Sequence, residues 1–433
     1  MKRYDKYKHT GTPWIGNIPS HWKSKRLRFV CEFRNGYTPS KANPDFWTDG
    51  TIPWYRMEDI RDSGRHLKEA KQYVTEDAVK GGGLFDAGSF ILATTATIGE
   101  HAVLIVDSLA NQRFTNLKIR KSLNAVIDNE FFFYFLYVID DYCKSTTKTA
   151  TFAAVNIDDL KNFEVAIPPL QEQHRIVNYI NNAISTYDAV ISTQERRITL
   201  LEELKQSVIT EAVTHGINPN APLRPSGIDW IGNIPQHWNI NRLKYIALIN
   251  PIINRKIDDN REVSYTPMEH LRYDDIIEDS ILWVERSSGL NTYQDNCILM
   301  ARITPCFENG NIAIAKNTIN NIGLCSSELI VFKAFRINTR FLFYILQHSK
   351  LKAMYKHSMR GTGGLKRIEP ETINSTYVPI PSEKEQQQIV EVLDNKCSSI
   401  NASIAKAKRE IELLKELKQS VITEAVTGKI KVY

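Results

Sequence analysis

Apolar residues recur at spacings of three and four along two long stretches of this 433-residue chain. In the first they are Ile184, Tyr187, Ile191, Ile198, Leu201, Val208 and Ala212. In the second they are Cys397, Ile400, Ile404, Ile411, Leu414, Val421 and Ala425, each 213 positions later (397 − 184). Gln194 and Ala407 interrupt both stripes at the same place. Pro168–Pro169 and Pro381 open the two stretches, each followed by an acidic, Gln-containing turn, and Gly216 and Gly428 close them. Proline fits the first turn of a helix, acids complement its positive end, and glycine suits its stop. The pattern predicts two long amphipathic helices of coiled-coil type. A helix from 170 to 213 would run ~65 Å at 1.5 Å per residue. A stripe of that length needs cover, so the two helices are predicted to pack antiparallel on each other. FFFYFLYVI (Phe131–Ile139), FLFYIL (Phe341–Leu346) and TIPW (Thr51–Trp54) read as core. The longest of these apolar runs is too short to span a bilayer.

The helices belong to a larger repeat. LKQSVITEAVT fills Leu204–Thr214 and again Leu417–Thr427, and IPPLQEQHRIV (Ile167–Val177) stands opposite IPSEKEQQQIV (Ile380–Val390). Earlier in each half, WIGNIP stands at Trp14–Pro19 and at Trp230–Pro235, an offset of 216 (230 − 14). HW and then RLRFV or RLKYI follow in the same register. Between these shared blocks, segments 31–165 and 247–378 scarcely resemble each other. Two copies of one scaffold thus carry two different inserts, which is not the many-fold repetition of a solenoid. The expected organisation is a globular domain at 1–166, a long helix at 167–216, a linker with a second domain at 217–379, and a second long helix with its tail at 380–433. The expected class is α/β (mixed α+β) with a pseudo-twofold internal repeat. Two readers at opposite ends of a stiff rod suit a target made of two half-sites with a set gap, and DNA is the obvious example. WIGNIP would belong to the socket that joins each insert to the rod.

Composition narrows the class without naming it. Apolar residues make up 42% and charged residues 24%, which excludes a disordered chain. A net charge of +6 and a pI near 8.8 are compatible with a nucleic-acid partner but do not demand one. The six cysteines form no CxxC pair and have no histidine at metal-ligand spacing, so they read as reduced core thiols of a cytoplasmic protein. The N-terminus has no apolar signal-peptide core.

The order of several phrases resembles the specificity subunit of Type I restriction–modification systems, HsdS. WIGxIPxHW opens each half. GYTPSKANPDFWTDGTIPW (Gly36–Trp54), ILATTATIGEHAVL and ANQRF are similar to family phrases in the first insert. VSYTPMEHL (Val263–Leu271), LMARITPCFENGNIA (Leu299–Ala313), CSSELIVF (Cys325–Phe332) and GTGGLKRI (Gly361–Ile368) are similar to another subtype in the second. The resemblance implies two target-recognition domains, each reading half of a split DNA sequence, spaced by the helices. It implies a non-catalytic subunit with no cofactor of its own. Its partners would be double-stranded DNA, modification subunits that use S-adenosylmethionine, and restriction subunits that use ATP and magnesium. Two other readings stand beside it: a specificity subunit of a Type IIB-like system, and a coiled-coil adaptor for proteins.

Reading DNA needs cations for phosphates, and amides, arginines or hydroxyls for base edges. The first insert offers Arg34, Lys41, Asn43 and Arg56, the compact cluster Asn111, Gln112 and Arg113, and Lys144 and Lys148. The second offers Arg302, Thr304, Asn309, Asn311 and Ser326, and the glycine-rich run that holds Arg360, Thr362, Lys366 and Arg367. Glycines there would let backbone N–H groups approach a phosphate. Catalytic motifs are missing from the text. NPDFW lacks the second proline of the adenine-methyltransferase tetrad, and there is no P-loop, HExxH or GxSxG. Pro44-Asp45 with Glu69-Ala70-Lys71 imitates a nuclease constellation but is set aside, because neither half sits on a convincing core strand.

Overall fold

The structure, a computed structural model, describes residues 2–12, 14–147, 154–253, 257–285, 289–362 and 364–432. Its contacts fall into two units, residues 1–194 with 409–433, and residues 195–408. Both apolar stripes are continuous helices: Leu170–His215, of 46 residues, and Glu383–Val426, of 44. Gly216 and Gly428, at φ of +79° and +71°, end them in the left-handed conformation that favours glycine. In each unit the opening half of one helix lies with the closing half of the other, which is the predicted antiparallel pairing. Ala407, expected as an interruption, is 1% exposed. Gln194 is half-buried, and its side-chain carbonyl has no partner among the described residues. Both interruptions therefore stay on the buried side of the stripe.

In the first unit a five-stranded sheet has the order Cys31–Asn35, Phe114–Ile119, Phe90–Ala93, His101–Leu104, His66–Leu67. Its inner strand Phe90–Ala93 is buried at every position, as its unbroken apolar text requires. A smaller sheet orders Leu109–Ala110, Ile52–Tyr55 and Tyr73–Val74; of TIPW, Ile52, Pro53 and Trp54 are core as expected, and Thr51 is exposed. Helix Asn129–Thr146 carries the FFFYFLYVI run; Asp128 caps it by accepting the Phe131 N–H at 2.9 Å.

The second unit repeats this strand order on different sequence. One four-stranded sheet orders Ala247–Ile249, Leu329–Ala334, Ile298–Ala301 and Ile312–Ile314. The other orders Ser280–Leu282, Glu262–Thr266, Gly323–Cys325 and Asn291–Tyr293. Helix Thr339–Ile345 begins at Asn338, whose side chain accepts the Phe341 N–H at 3.1 Å.

WIGNIP forms the predicted socket in both units. In the first, Ile15, Ile18 and Trp22 share a core with Ile176, Val177 and Ile180 of one long helix and Ile422, Ala425 and Val426 of the other. In the second, Ile231, Ile234 and Trp238 share a core with Ile389, Leu393, Ile209, Ala212 and Val213, at the equivalent helix positions. The Glu–Gln pair that opens each helix explains its own recurrence. His21 Nε2 meets Glu172 at 2.9 Å, and His237 Nε2 meets Glu385 at 3.0 Å. Gln173 accepts the Asp128 N–H at 2.8 Å and donates to the Pro168 carbonyl at 2.8 Å. Gln386 accepts the Asn338 N–H at 2.8 Å and donates to the Pro381 carbonyl at 3.0 Å. Each glutamine thus fastens the N-cap of the insert's aromatic helix to the start of a long helix. A Cβ on Gly428 would lie 2.4 Å from Pro19, and one on Gly216 would lie 3.2 Å from Trp238. A side chain would clash with the socket at 428 and crowd the indole at 216.

Candidate nucleic-acid interface

In the first unit the amide cluster predicted from sequence is one turn, held from two sides. The Gly36 and Tyr37 N–H groups donate to the Phe114 and Ala110 carbonyls at 2.9 and 2.8 Å, which lays the following loop along residues 110–114. A Cβ on Gly36 would sit 2.1 Å from the Asn111 carbonyl, so this close approach requires glycine. Asn111 N–H donates to the Tyr55 carbonyl at 3.1 Å, and its side-chain oxygen accepts the Arg113 N–H at 2.9 Å. The Thr38 hydroxyl donates to the Gln112 side-chain oxygen. Gln112 and Arg113 are exposed beside it. Amide and guanidinium therefore stand on one turn, with the Thr38 hydroxyl against it from the neighbouring loop, next to the end of strand Ile52–Tyr55.

The other candidates of this unit are placed otherwise. Arg34 donates to the Leu84 and Gly83 carbonyls at 2.8 Å each and lies 5.0 Å over Phe85, so its fork is a brace within the fold. Arg56 starts the short helix Met57–Asp62, pairs with Glu58 and faces Trp54. Asn43 caps Pro44–Phe46 through its side-chain oxygen, 3.2 Å from the Asp45 N–H. Lys41 is exposed, and Lys144 lies in the last turn of Asn129–Thr146. Lys148 lies outside the described residues.

Beneath the sheet, His101 and Asp140 are joined at 2.6 Å, with Arg65 at 3.3 Å from the same carboxylate. His101 is fully buried, and burial pushes its pKa down despite Asp140. The pair has no route to a substrate and reads as a structural polar core.

In the second unit three distant segments converge. Ile303 and Arg360 each bridge to Arg367. Arg302 N–H donates to the Glu328 carbonyl at 3.0 Å and Ile368 N–H to the Arg302 carbonyl at 2.9 Å. Ser326 Oγ accepts the Glu328 N–H at 3.2 Å. Thr304 Oγ1 accepts the Lys366 N–H at 3.0 Å and donates to the Gly364 carbonyl at 2.9 Å. Arg302, Thr304, Ser326, Arg360, Lys366 and Arg367 thus form one cationic group with hydroxyls between the charges, and Thr362 is exposed on its glycine loop. The loop's fold comes from Thr304 and from Gly361, whose Cβ would lie 2.2 Å from the Leu365 carbonyl. Arg360 also pairs with Glu369 at 3.3 Å. Asn309 and Asn311 line a separate cleft with Lys205 and Lys352, and in both lysines burial lowers the pKa.

Sequence comparison decides the family. A family model for the Type I restriction modification DNA specificity domain matches residues 19–203 and 235–413, one match in each half. The chain belongs to this family. It is similar to the EcoprrI specificity subunit of Escherichia coli, 45% identical over 142 residues, which cover 33% of this chain and 35% of that one. The similarity to the MjaIX specificity subunit of Methanocaldococcus jannaschii is lower but nearly full-length: 22% identity over 437 residues, 96% of this chain and 95% of that one. In fold it is similar to a chain from a structural study of complex assembly and conformational transition in the type I R-M system. The TM-score is 0.68 at 16% identity, over 95% of this chain and 99% of the other.

Within this specificity family member, sequence reading missed two participants. Thr38 stands inside the quoted GYTPS phrase, and only the fold brings it to Gln112. Glu328 stands inside CSSELIVF, and only the fold brings it to Arg302 and Arg367. Among the described residues no group of His, Cys, Asp and Glu is placed to hold a metal, and no helix is long and apolar enough to cross a membrane.

Proposed function

We propose that each unit reads one half of a bipartite DNA target, and that the chain positions the catalytic subunits of a restriction–modification complex without turnover of its own. The observation that carries this is the repeated socket bearing unlike inserts, each with its own polar group at a strand end. In the first unit the reader is the Thr38, Asn111, Gln112 and Arg113 turn. Amides pair with adenine edges and arginine with guanine. In the second unit it is the Arg302–Arg367 group, with Lys366 and Arg360 on phosphates.

The long helices would set the gap and dock the modification subunits. Leu200 and Leu204, four residues apart, are 56% and 50% exposed, and their repeat equivalents Leu413 and Leu417 are 46% and 43% exposed. Apolar pairs kept on the outer face of both helices support a partner that binds each helix alike. S-adenosylmethionine, ATP and magnesium would be bound by the modification and restriction subunits, in the cytoplasm, where the chromosome is.

The test is a methylome of cells with this gene and its neighbours against a strain lacking only this gene. Loss of one split, asymmetric adenine-methylated motif is the expected result. If no motif is lost, salt-dependent duplex binding of the purified complex decides. A DNA reader weakens steeply as salt rises, and a protein adaptor shows no such binding.

A further inference from the structure

The group in the second unit contains a carboxylate that a phosphate-binding surface would exclude. Arg367 Nε lies 3.0 and 2.9 Å from the two Glu328 oxygens, and its Nη2 lies 2.7 Å from one of them. Arg302 Nε lies 3.6 Å from the same carboxylate, too far for a hydrogen bond, and is left without one. The Arg367, Arg302 and Glu328 side chains are 42%, 27% and 23% exposed, so the cluster is at the surface and not a core tie. Arg367 holds Glu328 in its charged form, below the usual carboxylate range. One carboxylate between two guanidiniums leaves one net positive charge.

The geometry of the contact decides what is left over. A guanidinium has five N–H donors. Glu328 engages the side edge of Arg367, Nε and one hydrogen of Nη2. The end edge, Nη1 with the second hydrogen of Nη2, keeps two parallel donors. That is the edge that matches the O6 and N7 acceptors of guanine in the major groove. A free arginine side chain would sample many rotamers and would serve a phosphate as well as a base. An arginine clamped along its side edge has one direction. Its backbone is fixed as well, by the bridges from Arg367 to Ile303 and Arg360.

We infer that Glu328 is a positioning residue that aims Arg367 at a guanine in the half-site read by the second unit. This rests on the DNA-reading assignment above. The cluster predicts more than affinity, because removing Glu328 removes negative charge. A purely electrostatic surface would then bind DNA better, whereas an aimed arginine loses its aim.

The experiment uses the full chain with its modification partners and duplexes carrying the methylome motif. The probes are that motif and its single-base variants in both half-sites. Glu328→Gln is expected to cut discrimination at one G·C pair of the second half-site by roughly 5- to 150-fold, the range a bidentate pair supplies. Non-specific affinity should not fall. Discrimination at the first half-site and at the other positions of the second should be unchanged, and the latter shows that the second unit is folded. Glu328→Asp should restore part of the loss, and Arg367→Lys, which keeps the charge without the fork, should lose the same base position.

Equal weakening on every second half-site variant with a smaller salt slope would mean a phosphate contact and overturn the inference. So would unchanged discrimination, or a second half-site with no G·C pair. A wild-type complex that prefers no sequence at all would overturn the DNA-reading assignment itself.

Discussion

The two sockets and the two inserts of this chain have diverged to opposite degrees. The sockets agree down to single hydrogen bonds: His21 with Glu172 as His237 with Glu385, and Gln173 with Asp128 as Gln386 with Asn338. The inserts share a strand order, Cys31–Asn35, Phe114–Ile119, Phe90–Ala93, His101–Leu104 against Ala247–Ile249, Leu329–Ala334, Ile298–Ala301, Ile312–Ile314, but neither sequence nor surface chemistry. One presents an amide turn; the other presents arginines around a carboxylate. The difference follows from packing. A socket residue such as Trp22, 0% exposed, touches its own loop and meets the ends of two helices at once, so volume changes have nowhere to go. A side chain on an insert's outer turn answers only to what it binds.

Exchange of residues 31–165 for another insert should break the comparison most visibly. The methylome should change in one half-site and keep the other. A change in both would mean that the inserts do not act independently.

Next in size are Trp22→Ala and Trp238→Ala. Each should destabilise its own unit by about 3–5 kcal/mol, the usual loss for a buried tryptophan. Hydrogen exchange, read peptide by peptide, should show similar losses in the two units. A difference of several kcal/mol would show that the sockets are alike only in text.

The socket glutamates should separate the halves more finely. Glu172 is held by Tyr4 OH at 2.5 Å and by His21, and its side chain is 6% exposed. The Glu385 side chain is 20% exposed and pairs with His237. Glu172→Gln should cost about 1–3 kcal/mol and Glu385→Gln less. Burial alone would raise the Glu172 pKa, but the bonds from Tyr4 and His21 outweigh it and hold it below its ordinary 4.5. A depressed folded value means that the contribution is present above about pH 4.5 and is lost as pH falls through the folded pKa. Buried His101 and His348, whose pKa values burial lowers, the latter to about 4, act earlier. The unfolded chain takes up protons below about 6.5 that these folded histidines refuse, so both units should weaken there as pH falls. Only the first should then lose the Glu172 share.

The smallest effects belong to the helix pair. Lys418 meets Asp188 at 2.8 Å in the open, whereas the equivalent Lys205, 9% exposed, meets Asn401 at 2.9 Å and lies 3.7 Å over Tyr273. Lys418→Met should cost about 0–1 kcal/mol, as exposed pairs do. Lys205→Met should be neutral or slightly stabilising, since it relieves the desolvation of a buried ammonium. Thermal unfolding of the two variants gives the order.

The helices, the aromatic core runs and the socket were legible because each writes a period or an unbroken apolar run. Strands of two or three residues, such as His66–Leu67, write neither. The site was half legible. Asn111–Arg113 are adjacent in sequence, and the fold kept them together. Arg34 has the right chemistry for DNA, but its donors meet two carbonyls nearly fifty residues away, which no local pattern reports. Glu328 was hidden for the converse reason: its sign is wrong for a phosphate and right for an arginine.

The partition of the chain also sets a clock. The second unit is one continuous stretch, residues 195–408, while the first needs 409–433 to close its socket. At 5–20 residues per second, the 214 residues between them take roughly 10–40 s to synthesise. Through that interval the domain translated first waits with Trp22 uncovered on one side, and the domain translated second is the first to be complete.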